Sequence, residues 1–228
     1  MNPSLTAVLI PAFDCERTIG DVVRGARQFV ATVLVVNDGS SDATAARAAE
    51  AGAEVLTHAT NQGKGAALLS GLQRLAALGF ERVVTMDGDS QHLADEIPKL
   101  LVAADAAPDA VILGERQFDT VTIAPIKLFG NRFANRWVEI ACGQRLPDTQ
   151  SGFRVYPLRR TLALGARARH FGFETEVLIR AARAGIAIRS VPVRVYYPPI
   201  DERTSHFRPF VDTVRIIFIV LGLIFRVR

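Results

Sequence analysis

Short apolar runs alternate with stretches of helical periodicity through the first half of the chain. The runs are four or five residues long and rich in valine, isoleucine and leucine, which is typical of strands buried on both faces of a sheet. Strands separated by single helices predict right-handed βαβ units and an α/β fold, with a mostly parallel central sheet flanked by helices. The predicted strands are Ala7–Ile10, Thr32–Val36, Glu54–Thr57, Arg82–Met86 and Ala110–Leu113, and the predicted helices are Glu16–Arg27, Asp42–Ala51, Gly65–Leu78 and Asp95–Ala104.

The alternation becomes less regular after Leu113. A helical stretch at Pro125–Ala141 precedes the polar segment Asp148–Arg154, and a predicted helix at Glu174–Ala184 precedes a strand-like run at Ile186–Tyr197. No flexible linker separates this half from the first. We therefore expect it to complete the same domain.

We predict one Rossmann-like domain at residues 1–210, with halves at 1–114 and 115–210, followed by an apolar helix at 211–228. The apolar core of that helix, Ile216–Phe225, would be roughly 15 Å long at about 1.5 Å per residue, half of a bilayer's hydrocarbon core. It is too short to span a membrane. Flanking arginines suit a helix in a membrane interface, but a core helix or a subunit-interface helix explains the pattern equally well. The oligomeric state stays open.

The composition is that of an ordinary globular protein, with 228 residues of which 49% are hydrophobic and 22% charged. The two cysteines, Cys15 and Cys142, are far apart and have no paired spacing, so neither a disulfide framework nor a zinc site is indicated. The first residues lack the basic start and apolar core of a secretory signal. We therefore expect a cytoplasmic protein, and peripheral attachment to the cytoplasmic face of the membrane stays open.

The net charge of +4 conceals an asymmetry between the halves. Residues 1–114 carry a net charge of −6, whereas residues 115–228 carry +10. An acidic half suits a cation and a basic half suits an anionic partner. The basic half contains no aromatic-glycine recognition motif of nucleic-acid-binding domains, so we expect an anionic lipid or a phosphate rather than nucleic acid.

Two carboxylates follow the predicted strand Arg82–Met86. Asp87 and Asp89 are separated only by Gly88, and alternate residues of an extended strand point the same way. Because open α/β sheets bind ligands at the carboxyl ends of their strands, both carboxylates can face one divalent cation or one diphosphate. A solvated turn that uses the glycine is the structural alternative.

A further carboxylate, Asp38, follows the predicted strand Thr32–Val36. Ser41 or Asp42 serves equally well as the N-cap of the next helix, so Asp38 is the better candidate for accepting a hydrogen bond from a ribose or a base.

A glycine-rich segment containing Lys64 precedes the third predicted helix. The full P-loop spacing is missing and Ala66 stands where the hydroxyl residue belongs, which excludes a P-loop. Lys64 at a helix N-terminus still suits a diphosphate. A turn with an exposed lysine is an equally good interpretation.

Taken together, these segments resemble glycosyltransferase family two of the GT-A fold, in the family's order and spacing. The second half resembles the branch of dolichol-phosphate mannosyltransferase and related polyprenyl-phosphate glycosyltransferases. The segments that carry the resemblance are Leu9–Glu16, Val35–Ser40, Asn61–Gly65, Met86–His92, Asp148–Arg154, Phe171–Glu176, Val191–Val195 and Ser205–Phe207.

This resemblance implies a role for each matching residue. It assigns Asp89 and Gln91 to a Mg²⁺ or Mn²⁺ ion, and Asp89, Asp148 and Arg116 to catalysis. For binding of the nucleotide sugar, which carries GDP or UDP, it implies Pro11, Phe13, Glu16, Asp38, Lys64, Asp87 and Gly88. For binding of a lipid acceptor, it implies Arg132, Ser151, Arg203 and His206.

The implied function is metal-dependent, inverting transfer of a sugar to a polyprenyl-phosphate-like acceptor. His206 stands where the branch usually has lysine, and Asn37 replaces the commoner first aspartate of its motif. Two alternatives stay open: transfer to a hydroxyl of a lipid, polyketide or saccharide, and an inactive module that binds nucleotide sugars. A hydroxyl acceptor requires a general base, for which Asp148 and Glu174 are candidates, with Asp148 preferred.

Overall fold

The computed structural model describes residues 5–117, 135–170, 172–196 and Gly222. Seven strands in these residues form one sheet in the order β3-β2-β1-β4-β6-β5-β7. The strands are β1 Thr6–Ala12, β2 Thr32–Asn37, β3 Glu54–Thr57, β4 Arg82–Thr85, β5 Val111–Arg116, β6 Arg154–Pro157 and β7 Ile188–Val193. The helices are α1 Ile19–Arg27, α2 Thr44–Glu50, α3 Lys64–Ala77, α4 Ile97–Ala106, α5 135–142, α6 Leu158–Ala163 and α7 Gly172–Arg183, with a 3-10 turn at Ala94–Glu96 before α4.

The predicted mostly parallel sheet flanked by helices is confirmed. Strands β1 to β4 pair in parallel, as do β5 and β7. All five strands predicted in the first half are present, and the predicted strand at Ile186–Tyr197 is the shorter β7, followed by an isolated bridge between Val195 and His92.

Strand β6 and helix α6 do not appear in the sequence-based prediction. β6 has only four residues, begins with arginine and ends with proline, so it shows no usable alternation. It runs antiparallel to both β4 and β5, with Arg154 opposite Thr85 and Leu113. Its amino-terminal end therefore meets the carboxyl ends of its neighbours, and the loop that precedes it enters the same edge of the sheet.

Both faces of the sheet are covered by helices. Along β1, Ala7 and Leu9 pack into one core with α3, α6 and α7, whereas Val8 and Ile10 pack into the other with α1 and α4. This double burial explains why β1 reads as a continuous apolar run rather than as an alternating one.

The predicted helix at 211–228 lies outside the described residues apart from Gly222. In the part of the chain that the structure describes, no helix is long and apolar enough to cross a bilayer.

The close contact between α3 and β1 generates a prediction. A Cβ at Gly71 would lie 2.2 Å from Cδ1 of the fully buried Leu9. Gly71→Ala should lower the free energy of unfolding by about 1–2 kcal/mol, because overpacking of about 1–3 kcal/mol outweighs the helix-propensity gain of up to about 1. Chemical denaturation measures the change.

Gly20→Ala in α1 is the matched control. There the new Cβ would meet only the guanidinium of the exposed Arg24, at 3.3 Å, which is free to move. We expect no loss of stability. An equal loss in the two variants would refute the packing argument.

Candidate functional site

The loops after β1 and β2 are joined by side-chain hydrogen bonds to backbone amides. The Glu16 carboxylate accepts from the amide of Ala43 at 2.9 Å, next to the start of α2, and the Asp14 carboxylate accepts from the amide of Ser41 at 2.8 Å. Glu16 is exposed at this junction, Phe13 is half-buried beside it, and Pro11 is buried within β1. The structure thus brings the predicted nucleotide residues of the first loop to the carboxyl edge of the sheet.

The loop after β4 is tied to the first loop. The Thr18 hydroxyl donates to the carbonyl of Gly88 at 2.6 Å. A Cβ at Gly88 would lie 3.1 Å from the Cys15 sulfur, so glycine permits this close packing. Burial raises the pKa of the Cys15 thiol to about 11, which makes it an unreactive packing residue.

Asp38 lies beneath the neighbouring loop rather than at its surface. Its carboxylate accepts hydrogen bonds from the amides of Gln62 and Gly63, at 3.0 and 2.7 Å, and contacts His58 Nδ1 at 2.7 Å. The side chain is only 3% exposed. This geometry favours a role in holding the turn that delivers Lys64, and the predicted contact with a ribose or base remains a prediction.

Lys64 connects the two halves of the site. Its ammonium lies 2.6 Å from Asp87 Oδ1 and 3.2 Å from Glu174 Oε1. Burial alone would lower the pKa of Lys64, but the two carboxylates outweigh burial and raise it. Lys64 is therefore charged, and the predicted turn with an exposed lysine is wrong.

The same ion pair sets the charge of Asp87. Burial is the largest single influence and opposes ionisation of this carboxyl, but the nearby positive charges, Lys64 first, together outweigh it and lower the pKa of Asp87 to about 2. Asp87 is thus a carboxylate that is already held by a cation of the protein.

Asp89 is in the opposite situation. Burial and the negative charge of Asp87 raise the pKa of Asp89 to about 6. Its Oδ1 accepts the amide of Gln91 at 3.0 Å across a turn in which Ser90 has a φ of 63°. A divalent cation at Asp89 would counter both effects, so this residue fits the metal role that the sequence predicts.

His92 helps to fix the loop after β4, which carries Asp87 and Asp89. Its Nδ1 accepts the amide of Asp87 at 3.0 Å, and its ring stacks on Phe153 at a centroid distance of 5.1 Å. Burial lowers the pKa of His92 to about 4, so the ring is neutral with its proton on Nε2. The amide of Tyr196 donates to the carbonyl of Gln91 at 2.9 Å, which fixes the loop from the β7 side.

Arg116 and Asp148 form a bidentate ion pair at the end of β5. Nε of Arg116 lies 2.7 Å from Oδ2 of Asp148, and Nη2 lies 2.9 Å from Oδ1; the Arg116 amide also donates to Oδ2. Both oxygens of Asp148 are thereby engaged. Glu174, the other candidate base, is paired with Lys64.

The acceptor residues are described only in part. Ser151 is fully buried, and its hydroxyl accepts the amide of Phe153 at 3.3 Å. Arg132, Arg203 and His206 lie outside the described residues.

Within the described residues, the predicted metal ligands Asp89 and Gln91 do not form a complete protein cage for a metal ion. Among the described residues, no group of three or more His, Cys, Asp and Glu side chains is arranged to hold a metal ion. Asp89 with the amide oxygen of Gln91 instead suits a hard cation that takes its other ligands from substrate phosphates and water.

Comparison with known proteins identifies the family of the chain. Residues 7–172 match the model of glycosyl transferase family 2. The chain belongs to that family. It is 32% identical over 214 residues to glycosyltransferase AglJ of Haloferax volcanii, covering 92% of this chain and 69% of the relative. It is 27% identical over 222 residues to a UDP-N-acetylglucosamine–dolichyl-phosphate N-acetylglucosaminyltransferase of Methanococcus voltae, covering 86% and 88%.

A solved structure with the same fold is glucosyl-3-phosphoglycerate synthase from Mycobacterium tuberculosis, in complex with Mn²⁺, UDP and glucosyl-3-phosphoglycerate. The TM-score is 0.71 at 23% identity, with coverage of 96% of this chain and 80% of that chain. At this identity the likeness establishes the fold, which confirms the GT-A architecture.

Sequence reasoning missed several residues that shape this family 2 site. Gly152 is the most consequential, because a Cβ there would lie 2.8 Å from both Asp87 carboxylate oxygens and 2.9 Å from Lys64 Nζ. Thr18 and His92 were also not predicted as parts of the site. The only sequence signal for this close packing is the glycine itself, within the segment Asp148–Arg154. A glycine does not reveal that Asp87 and Lys64 are the groups that pack against it.

Gly152→Ala therefore tests the Lys64–Asp87 pair. The added methyl group should displace this pair and lower the rate of sugar transfer at least about tenfold, since sub-ångström placement of reacting groups is costly to lose. Steady-state kinetics on folded protein measures the effect.

Gly185→Ala is the control for loss of a glycine. Its φ is +70° and nothing lies within 4 Å of the new Cβ. We expect about 1 kcal/mol of backbone strain and unchanged transfer. Equal transfer rates in the Gly152 variant and the wild type would contradict the proposed sensitivity of the pair.

Proposed function

We propose that this glycosyltransferase inverts the anomeric centre of a nucleoside diphosphate sugar while moving the sugar to a polyprenyl-phosphate-like lipid, with Mg²⁺ or Mn²⁺. The observation that carries the proposal is the unequal treatment of the two neighbouring aspartates. Asp87 forms an ion pair with Lys64, whereas the described contacts of Asp89 include no ion pair. Burial and the charge of Asp87 outweigh the weaker influence of Lys64 and raise the pKa of Asp89.

The charge balance supports a divalent cation. The described ionisable groups that interact here include four carboxylates, Asp87, Asp89, Asp148 and Glu174, and two cations, Lys64 and Arg116. Among these described groups, negative charges exceed positive charges by two, which suits one divalent ion. Asp89 and Gln91 would hold it, and when bound it neutralises the departing diphosphate.

The donor half supports nucleotide binding through its linked loops. The M. voltae relative is named for a UDP sugar, and the M. tuberculosis structure contains UDP. We keep GDP-linked sugars as candidates too, because the described contacts do not distinguish the bases.

The engaged carboxylates favour an anionic acceptor. Transfer to a hydroxyl requires a base, but Asp148 accepts three hydrogen bonds from Arg116 and Glu174 is paired with Lys64. To accept a proton from a hydroxyl, either carboxylate would have to give up one of these contacts. A lipid phosphate is already ionised and attacks the anomeric carbon from the side opposite the leaving group without a base.

The second half supplies the positive charge for such an acceptor. Ser151 with Arg132, Arg203 and His206 is the proposed phosphate side, and residues 211–228 are the proposed contact with the cytoplasmic face of a membrane. A net charge of +10 in residues 115–228 suits an anionic lipid surface.

An acceptor comparison tests the function. The chain is incubated with Mn²⁺ and UDP-N-acetylglucosamine, UDP-glucose or GDP-mannose, in vesicles containing either undecaprenyl phosphate or undecaprenol. We expect a glycosylated lipid phosphate with at least one donor and no product with undecaprenol. Co-sedimentation with the vesicles reports membrane contact in the same samples.

The outcomes separate the alternatives. Product only with undecaprenol would establish the hydroxyl-acceptor alternative. Nucleotide binding without transfer to either lipid would favour the inactive binding module, and both results would refute the lipid-phosphate proposal.

A substitution tests the metal assignment. Asp89→Asn retains the shape of the side chain but removes the charge, so transfer should fall at least about 100-fold and Mn²⁺-dependent binding of UDP or GDP should weaken. Calorimetry with Mn²⁺ and nucleotide measures the binding.

Asp109→Asn is the matched control, because Asp109 is 71% exposed and paired with Arg160 on the surface. It should behave as the wild type. Near-normal transfer by the Asp89 variant would exclude Asp89 as the metal residue.

A further inference from the structure

Arg154 is the largest fully buried side chain of the described residues, and none of the site roles assigned so far involves it. Its relative exposure is 0% at the first position of β6. Nε donates to the carbonyl of Ser151 at 2.7 Å, and Nη2 donates to the carbonyl of Thr149 at 2.8 Å. Nη1 donates to the carbonyl of Glu174 at 2.8 Å and to the Tyr156 hydroxyl at 3.2 Å.

These partners are uncharged. In the described part of the chain Arg154 forms no ion pair, and its guanidinium is held by three carbonyls and one hydroxyl. Burying an arginine in this way is costly unless every donor is satisfied. The arrangement therefore constrains the backbone that supplies the carbonyls.

The carbonyls come from two segments that meet at the site. Thr149 and Ser151 lie in the loop 148–153, and Glu174 lies in the first turn of α7. One end of the loop carries Asp148, which holds Arg116. The other end carries Gly152, whose carbonyl accepts the Thr85 hydroxyl at 2.8 Å.

The second segment carries the carboxylate of Glu174, which contacts Lys64. Gly152 packs against Lys64 and Asp87. The loop 148–153 and the start of α7, both held by Arg154, therefore contact the same Lys64–Asp87 ion pair. A shift of either segment would move that pair or the Arg116 guanidinium.

We propose that Arg154 is a positioning residue for glycosyl transfer: its guanidinium fixes the loop 148–153 against the start of α7, and thereby sets the placement of Lys64, Asp87 and Arg116 around the reacting sugar diphosphate. The catalytic part of this inference rests on the proposed function. The structural part, that Arg154 fixes the two segments, does not.

A lysine at position 154 cannot reproduce the hydrogen bonds of the guanidinium. A guanidinium spreads its donors in one plane towards several acceptors, whereas an ammonium is a compact charge on a flexible stem. Arg154→Lys keeps the charge and loses the geometry.

Arg82→Lys is a closely matched control. Arg82 is also a buried arginine in the same pair of strands, but it lies opposite Pro157, at the other edge of the sheet, where it pairs with Asp105. Both variants lose a buried guanidinium, and only one loses it at the site.

Hydrogen exchange gives the readout that needs no substrate. In Arg154→Lys we expect amides at 149–153 and 172–176 to exchange at least about fivefold faster than in the wild type, and in Arg82→Lys they should not change. Equal exchange of these segments in the two variants overturns the proposal.

Kinetics gives the second readout, at a temperature where both variants are folded. We expect kcat of Arg154→Lys to fall at least about tenfold. The Kd for UDP or GDP with Mn²⁺ should rise by a smaller factor than kcat falls, because Lys64 and Asp87 shift while the loops after β1 and β2 keep their mutual hydrogen bonds. An unchanged kcat overturns the positioning role. A parallel loss of kcat in Arg82→Lys also overturns it.

Tyr156→Phe is the milder variant if Arg154→Lys does not fold. It removes one hydrogen bond to Arg154 and leaves the three carbonyl contacts. Amide exchange at 149–153 and 172–176 should therefore be only about two- to fivefold faster, and kcat only about two- to fivefold lower, than in the wild type. If the wild-type chain transfers no sugar, the proposed function fails, and hydrogen exchange alone decides whether Arg154 holds the segments.

Discussion

The ion pairs of Lys64 with Asp87 and Glu174 are the constraint on which the rest of the site depends. A buried ammonium needs compensating charge, and here the compensation comes from two distant parts of the chain. Asp87 follows a strand of the first half, whereas Glu174 begins a helix of the second half. The pair therefore fixes the halves relative to each other and decides which aspartate is available to a cation.

The antiparallel strand β6 makes this convergence possible. If β6 ran parallel to β4, the loop that precedes β6 would lie at the amino ends of the parallel strands, away from the site. Because β6 is reversed, the loop 148–153 meets the carboxyl ends of β4 and β5. Asp148 and Gly152 thus reach Arg116 and Asp87 through short contacts rather than through a long excursion of the chain.

The sequence predicts much of this arrangement where the signal is local. The apolar strand before Asp87 and Asp89 locates both carboxylates at the ligand edge, and the alternation of strands and helices indicates the parallel sheet. β6 is too short for periodicity, and its place in the sheet is decided by pairing with residues about 70 positions away. Asp38 shows the same limit, since two of its partners are backbone amides whose direction no residue type reveals, and the third is the ring of His58, 20 residues away.

Under the proposed function, ion pairing also explains how one site would treat two kinds of anion differently. Among the described residues of the donor side, carboxylates exceed cations, so a negatively charged diphosphate would be repelled there without an accompanying metal ion. The Arg116 guanidinium is balanced by Asp148, so positive charge for a phosphate acceptor would come from the other basic residues of the second half. Under the proposed function, such a site would separate its two anionic substrates by the cation each requires: an exchangeable metal for the nucleotide, and fixed side chains for the acceptor. Metal-free diphosphate and acceptor phosphate are then not equivalent ligands, even though both carry phosphate charge.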